Sequence, residues 1–163
     1  GVTYHDNPDL RKAQEEAFRK QVEFACELAL PLIVHSRGAY SSLCSILKEE
    51  KADRVRGVVH NFEGDARATS ELLDMGFLLS FGGAITYPDA TGLHEIIRHV
   101  PRDSILIETD SPYMPLYLQS TDTNEPANVA RVIQTAAEIR KVDIEEMIST
   151  VYDNFRNLLS LEG

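Results

Sequence analysis

Short apolar runs along this chain alternate with longer stretches in which apolar residues recur every three or four positions. Short runs with few polar residues are typical of strands buried on both faces of a parallel sheet. They predict strands that end near residues 35, 60, 81 and 109, preceded by the tail of another strand at 1–4. The longer stretches predict helices at 9–29 (capped by Asp9), 39–50, 65–75, 89–100 and 126–140, and a last helical pair after Asp143.

This regular alternation leaves two parallel architectures. Successive strand ends are 21 to 28 residues apart, which is the spacing of β-α units in a parallel sheet. A doubly wound sheet would carry a glycine-rich phosphate turn, but Gly82-Gly83 is followed by Ala84 and no such pattern. A closed barrel has about 250 residues. We therefore interpret residues 1–163 as a single α/β domain of the parallel (β/α) TIM-barrel type, truncated at its N-terminus and holding about the second half of the barrel.

Composition and charge exclude several classes of function. Apolar residues make up 43% of the 163 residues and charged residues 26%, values of a soluble globular protein, and the net charge is −10. This charge argues against a general nucleic-acid coat or a binder of anionic membranes, although a local phosphate site built on metal ions stays open. Cys26 and Cys44 are in no metal-binding spacing and indicate reduced thiols of a cytoplasmic protein. The sequence shows neither a membrane span nor a signal peptide.

Three predicted strands end in residues that bind metals. His35, His60 and Asp110 each follow an apolar run, and the carboxyl ends of parallel strands converge on one mouth. Two imidazoles and a carboxylate suit Zn²⁺, Mn²⁺ or a similar ion, which would activate a bound water. Glu108 and Asp110 are two positions apart, so a continuing strand would point both to one side. Arg37, on the loop after His35, is a candidate phosphate contact.

Structural roles compete with each of these interpretations. A single histidine at a strand end is more often an ordinary hydrogen-bonded residue, and Arg37 is equally well explained as a solvated loop side chain. Ser36 and Ser111 lack a neighbouring histidine base and a nucleophile elbow. Asn124 or Glu125 caps the helix that follows in the simplest explanation. The other histidines, His5, His94 and His99, are assigned to the surface.

Five segments together resemble the successive signatures of the TatD family, the metal-dependent deoxyribonucleases of the amidohydrolase-like TIM-barrel class. The segments are 30–37, 60–64, 80–83, 108–113 and 124–126. The resemblance implies that His35, His60 and Asp110 are metal ligands and that Asp110 is also the base for the attacking water. It further implies supporting roles for Glu108, Asn124 and Glu125, divalent Mg, Mn or Zn as cofactor, and DNA as substrate.

The departures from the family pattern matter equally. Family members open with a strand ending in His-x-His and later supply a bridging Glu. Both come before the segment that residues 1–4 resemble, so neither is in this sequence. Thr3 stands where the family usually has Asp, and Thr123 where many members have a basic residue. We therefore expect a cytoplasmic nuclease fragment with weak metal binding and little activity by itself.

Two alternative functions stay open beside the nuclease. One is another amidohydrolase-type metal hydrolase acting on small esters, lactones or amides. The other is a non-catalytic half-barrel that acts in assembly. Whichever holds, an open half-barrel is expected to self-associate through its sheet edges, with the inner-face residues Val34, Val59, Leu79 and Leu106 lacking their opposite layer.

Overall fold

The computed structural model describes residues 1–4, 6–119 and 123–159. The chain divides into two compact units, Gly1–Leu78 and Leu79–Gly163. The first contains β1 (Val2–Thr3), α1 (Pro8–Leu28), β2 (Leu32–Arg37), α2 (Tyr40–Glu49), β3 (Gly57–His60) and α3 (Ala66–Asp74). Strand β4 (Phe77–Phe81) begins there and continues into the second unit, which adds α4 (Thr91–His99), β5 (Ile105–Ile107), α5 (Val129–Arg140) and α6 (Ile144–Leu158). Short 3₁₀ turns cover Ala52–Arg54, Gly83–Thr86, Arg102–Ser104 and Pro126–Asn128.

Local sequence explains where the first helix begins and ends. The Asn7 side chain accepts hydrogen bonds from the amides of Asp9 (2.9 Å) and Leu10 (3.4 Å), and Pro8 takes the first helical position. Proline is favoured there because its missing amide would have no partner inside the helix. The prediction that Asp9 is the cap is therefore wrong by two residues. At the other end Ala29 adopts a left-handed conformation (φ 52°) that terminates α1.

In the first unit three strands pair in parallel, in the order β1-β2-β3. The register places Val34 opposite Val59 and His35 opposite His60. Burial alternates along β2: Leu32, Val34 and Ser36 are buried, whereas Ile33, His35 and Arg37 are exposed. The side-chain period of two therefore puts His35 on the open face and Val34 on the covered face.

This alternation overturns one expectation about the apolar side chains. Val34, Val59 and Leu79 are fully buried and Leu106 nearly so, although each was expected to lack a covering layer. The apolar residue of β2 that is exposed instead is Ile33, at 76%. The prediction assigned Val34 to the open face of the sheet, on which His35 lies. In the structure the other residues of β2 on that face are Ile33 and Arg37.

In the second unit β4 and β5 pair in parallel, with Leu79, Ser80 and Phe81 opposite Ile105, Leu106 and Ile107. Asn154 of α6 is buried and donates to the carbonyls of Arg102 (2.7 Å) and Ile105 (2.8 Å). The Arg140 guanidinium donates to the carbonyls of Ile97 (2.6 Å) and Val100 (2.8 Å). These contacts fasten the last two helices to the end of α4 and the start of β5.

The parallel strands and the strand–helix alternation predicted from the sequence are confirmed. The strand boundaries differ at two functional positions. Strand β2 extends two residues past His35, because Ser36 and Arg37 pair with β1, and β5 ends at Ile107 rather than at residue 109. Within the described residues no helix is both long and apolar enough to cross a membrane.

Candidate metal and catalytic residues

His35 and His60 are neighbours on one face of the first unit's sheet. They are opposite each other in the β2–β3 register, and their ring centroids are 5.9 Å apart with the planes tilted by 40°. His35 is exposed and His60 is half-buried. Two adjacent imidazoles supply two nitrogen ligands of the kind that Zn²⁺ and related ions accept, so the donor set of this pair fits a divalent metal. Arg37 is exposed on the same face of β2.

The segment after His60 is held from α2, by a residue that the sequence analysis did not single out. The Tyr40 hydroxyl accepts a hydrogen bond from the amide of Glu63 (2.8 Å). Its ring packs edge-on against the buried Phe62, with centroids 5.2 Å apart. Burial raises the pKa of Tyr40, so its hydroxyl stays neutral. The segment with His60, Phe62 and Gly64 is therefore a packed turn. Its contacts fix the backbone that follows His60 at the end of β3.

In the second unit Asp110 lies beyond the strand, in a turn. Its carbonyl accepts a hydrogen bond from the amide of Tyr113 (2.7 Å), and the hydroxyls of Ser111 and Thr109 are 3.1 Å apart. Asp110 is half-buried. Because β5 ends at Ile107, the turn and not the strand ladder determines where this carboxylate lies, contrary to the prediction that strand alternation places it.

Glu108 is held by two contacts in the second unit. Its amide donates to the carbonyl of Phe81 (3.0 Å), which continues the β4–β5 ladder by one residue. The hydroxyl of Ser80, only 3% exposed, donates to the Glu108 carboxylate. The sequence analysis included Ser80 in segment 80–83 but gave it no role, although it is the only polar residue of β4 and that signal could have indicated one.

The Asn124 side chain links two segments and is not a helix cap as expected, since the N-cap of the turn after it is Glu125 and that of α5 is Asn128. It is 2% exposed; its side-chain oxygen accepts from the Glu125 amide (2.9 Å) and from the Asn128 side chain (2.9 Å). Its side-chain nitrogen donates to the Met114 carbonyl (2.9 Å), and its amide donates to the Pro112 carbonyl (2.9 Å). Asn124 therefore ties the segment after Asp110 to the start of α5. Within the described part of the chain, the exposed Glu125 gives no side-chain cap to the turn that follows it.

The remaining histidines and the two cysteines differ in their burial and contacts. His99 is exposed as predicted, but His94 is half-buried and its Nε2 is 2.9 Å from the Ile85 carbonyl. His5 lies outside the described residues. Cys26 and Cys44 are free thiols, and burial raises the pKa of Cys44 to about 11, which makes it unreactive at neutral pH. Among residues 1–4, 6–119 and 123–159, no group of three or more His, Cys, Asp or Glu side chains is arranged to hold a metal ion.

Comparison with known proteins gives one consistent family. The family described as "TatD related DNase" matches residues 1–160. The metal-dependent hydrolase YabD of Bacillus subtilis is 37% identical over 161 residues, which are 99% of this chain and 63% of that protein. The metal-dependent hydrolase YcfH of Escherichia coli K12 is 36% identical over 163 residues, 100% of this chain and 62% of that protein. The chain thus spans about three-fifths of the length of these relatives.

Two further similarities concern substrate and fold. A protein of Pectobacterium atrosepticum named 3'-5' ssDNA/RNA exonuclease TatD is 30% identical over 167 residues, covering 99% of this chain and 64% of that protein. The crystal structure of YjjV, a TatD homologue from Escherichia coli K12, has a TM-score of 0.90 and 30% identity over 99% of this chain and 63% of that one. This likeness confirms the predicted (β/α) fold class.

Proposed function

The chain belongs to the TatD family, and from that premise we propose that it takes part in metal-dependent hydrolysis of phosphodiester bonds in DNA. The observation that carries this proposal is the pair of histidines, His35 and His60, at 5.9 Å between ring centroids on one face of the sheet. The names of the relatives, metal-dependent hydrolase and ssDNA/RNA exonuclease, support the same reaction class.

We assign roles to this chain's residues as follows. His35 and His60 would hold a divalent ion, Zn²⁺, Mn²⁺ or Mg²⁺, through ring nitrogens, and Asp110 is a further candidate ligand. A bound divalent ion supplies a water of lowered pKa and neutralises charge on a phosphate. The Asp110 carboxylate accepts the proton of the attacking water. Arg37, exposed on the face of β2 that carries His35, contacts a phosphate oxygen of the DNA.

Other residues orient these groups. Ser80 fixes the carboxylate of Glu108, two residues before Asp110. Asn124 holds the backbone at Pro112 and Met114, just after Asp110. Glu125, exposed beside Asn124, is proposed to support the site at its rim. The free thiols of Cys26 and Cys44 support a reducing, cytoplasmic compartment.

A specific observation also favours self-association. Besides Tyr4, five large apolar side chains of the first unit are exposed: Leu10, Phe24, Leu28, Leu30 and Ile33. Each exposed large aliphatic or aromatic side chain forgoes about 1.5–3 kcal/mol of burial. We propose that a second copy covers these exposed side chains. Light scattering coupled to gel filtration checks it, and a monodisperse monomer at high concentration contradicts it.

Calorimetric titration with Zn²⁺ and with Mn²⁺ tests the metal assignment. We expect His60→Ala to weaken binding at least about tenfold, because one of two adjacent nitrogen ligands is lost. His99→Ala is the matched control, since His99 is exposed and its ring contacts only its own helix in the described contacts. Equal binding by the wild-type chain and His60→Ala would refute the role of His60.

A further inference from the structure

An uncharged loop follows the proposed catalytic Asp110. Residues 111–119 contain no acidic or basic side chain, although 26% of the whole chain is charged. The loop instead presents Tyr113, Met114, Tyr117 and Leu118 to solvent, with Tyr113 at 70% exposure. Solvent-exposed aromatic and apolar side chains concentrated in one short segment indicate a contact surface.

Several contacts hold the backbone of this loop. Leu116 is buried and anchors its centre, and its amide donates to the Gln119 side chain (3.0 Å). Beneath the loop, the hydroxyl of Thr86 accepts from the Tyr117 amide (2.9 Å), and the Tyr87 hydroxyl donates to the Pro115 carbonyl (3.0 Å). Met114 and Leu118 adopt left-handed conformations, with φ of 54° and 58°. The left-handed conformation carries a steric cost for residues other than glycine, so the surrounding contacts must stabilise the loop in this form.

Close packing against the preceding turn fixes the loop further. A Cβ atom added at Gly83 would lie 2.8 Å from the Met114 carbonyl oxygen, so the two backbones are in close contact. The aromatic rings of Tyr87 and Tyr117 meet edge to face, with centroids 5.6 Å apart. Together with Asn124, these contacts hold the backbone of the loop in place before any ligand arrives, which lowers the entropy lost on binding.

We propose that Tyr113 stacks on a nucleobase of the DNA substrate where it is single-stranded, an inference that rests on the nuclease function proposed above. The Tyr113 amide is bonded to the Asp110 carbonyl, so the ring is attached directly to the turn that carries the catalytic carboxylate. Aromatic faces accept every base without sequence preference. The uncharged loop does not repel the phosphate backbone, and Arg131, which donates to the Tyr117 carbonyl (3.2 Å), adds a positive charge beside it.

The chain contains no tryptophan, which makes a direct optical test feasible. In Tyr113→Trp the new indole is the sole tryptophan, and we expect a deoxythymidine octamer to quench its emission in EDTA. An octamer of abasic residues should leave the emission unchanged. Tyr152→Trp, at an exposed tyrosine of α6, is the matched control and should respond to neither strand. Equal quenching by both strands, or none at position 113, would overturn the assignment.

Affinity measurements separate this inference from the proposed function. By fluorescence anisotropy, Tyr113→Ala should bind the deoxythymidine octamer at least about fivefold more weakly, the lower end of one base–aromatic stack. Tyr113→Phe should match the wild-type chain, and the abasic octamer should bind all three alike. If the wild-type chain binds the deoxythymidine octamer and Tyr113→Ala binds it equally well, stacking is refuted and the nuclease proposal stands. If the wild-type chain binds neither octamer, the proposed nuclease function loses its substrate and stacking falls with it.

Discussion

The two units place their functional side chains by different means. In the first unit His35 and His60 are carried on paired strands, so the backbone ladder fixes one ring opposite the other. In the second unit Asp110 lies in a turn, and contacts from Asn124 and Gly83 hold the segment that follows it. The ladder needs only a regular pattern of residues, whereas the turn depends on individual side chains. Single substitutions outside the candidate ligands should therefore disturb the second unit more.

The largest expected effect comes from Asp110 itself. Because little activity is expected of this chain by itself, the effect is measured in a chain extended to the length of its relatives. There we expect Asp110→Asn to lower the rate of DNA cleavage at least about a hundredfold, because the proposed base is lost. The fold should be unchanged, since the contact from the Tyr113 amide uses the Asp110 backbone carbonyl, which Asn retains. Cleavage of a labelled oligonucleotide and circular dichroism measure both, with the exposed Asp153→Asn as control. A fully active Asp110→Asn protein would show that another residue is the base.

Removing Asn124 should have the next largest effect, on stability. Asn124→Ala leaves the Met114 carbonyl and the Glu125 amide without the contacts that this side chain gives them. A buried polar group without its partner costs about 1–3 kcal/mol. We expect the free energy of unfolding in urea to fall by about 2 kcal/mol or more, with faster hydrogen exchange at the Tyr113 and Tyr117 amides. Unchanged stability and exchange would mean that the loop does not depend on this side chain.

A smaller effect tests the sheet of the first unit. Val34→Ala should lower the free energy of unfolding by about 1.5 kcal/mol, because it removes two methyl groups from a fully buried side chain. Its neighbour Ile33 is 76% exposed, so Ile33→Ala should change stability by about 0.5 kcal/mol or less. Urea denaturation at low protein concentration measures both. Equal losses would show that the face carrying Ile33 is covered in solution, and repeating the measurement at high concentration would show whether a second copy covers it.

Much of the regular framework could be predicted from the sequence. The apolar runs located the strands, and their spacing gave parallel pairing, because both features repeat along the chain and need only local information. The adjacency of His35 and His60 followed from their similar positions at the ends of neighbouring strands. The exposed face of β2 was misassigned, because burial depends on what lies over each face and not on the strand alone.

The contacts of the second unit could not be predicted in the same way. Asn124 bonds to backbone groups at residues 112 and 114, and Ser80 to a carboxylate at residue 108. These pairs have no period, and several donors in the same segments could have made them. The early end of β5 has the same origin, since the turn at Asp110 forms through a contact with Tyr113 that hydropathy does not reveal.

The contact between Gly83 and Met114 has a consequence for how this chain can vary. No other residue can occupy position 83 without displacing a backbone oxygen, because even a methyl group would lie 2.8 Å from the Met114 carbonyl. Tyr113, by contrast, projects into solvent and can be exchanged without disturbing its surroundings. In a saturation-mutagenesis library that is selected for folding, position 83 should accept glycine alone, while position 113 should tolerate many residues. Position 113 should become restricted only when the library is selected for binding to a nucleic acid.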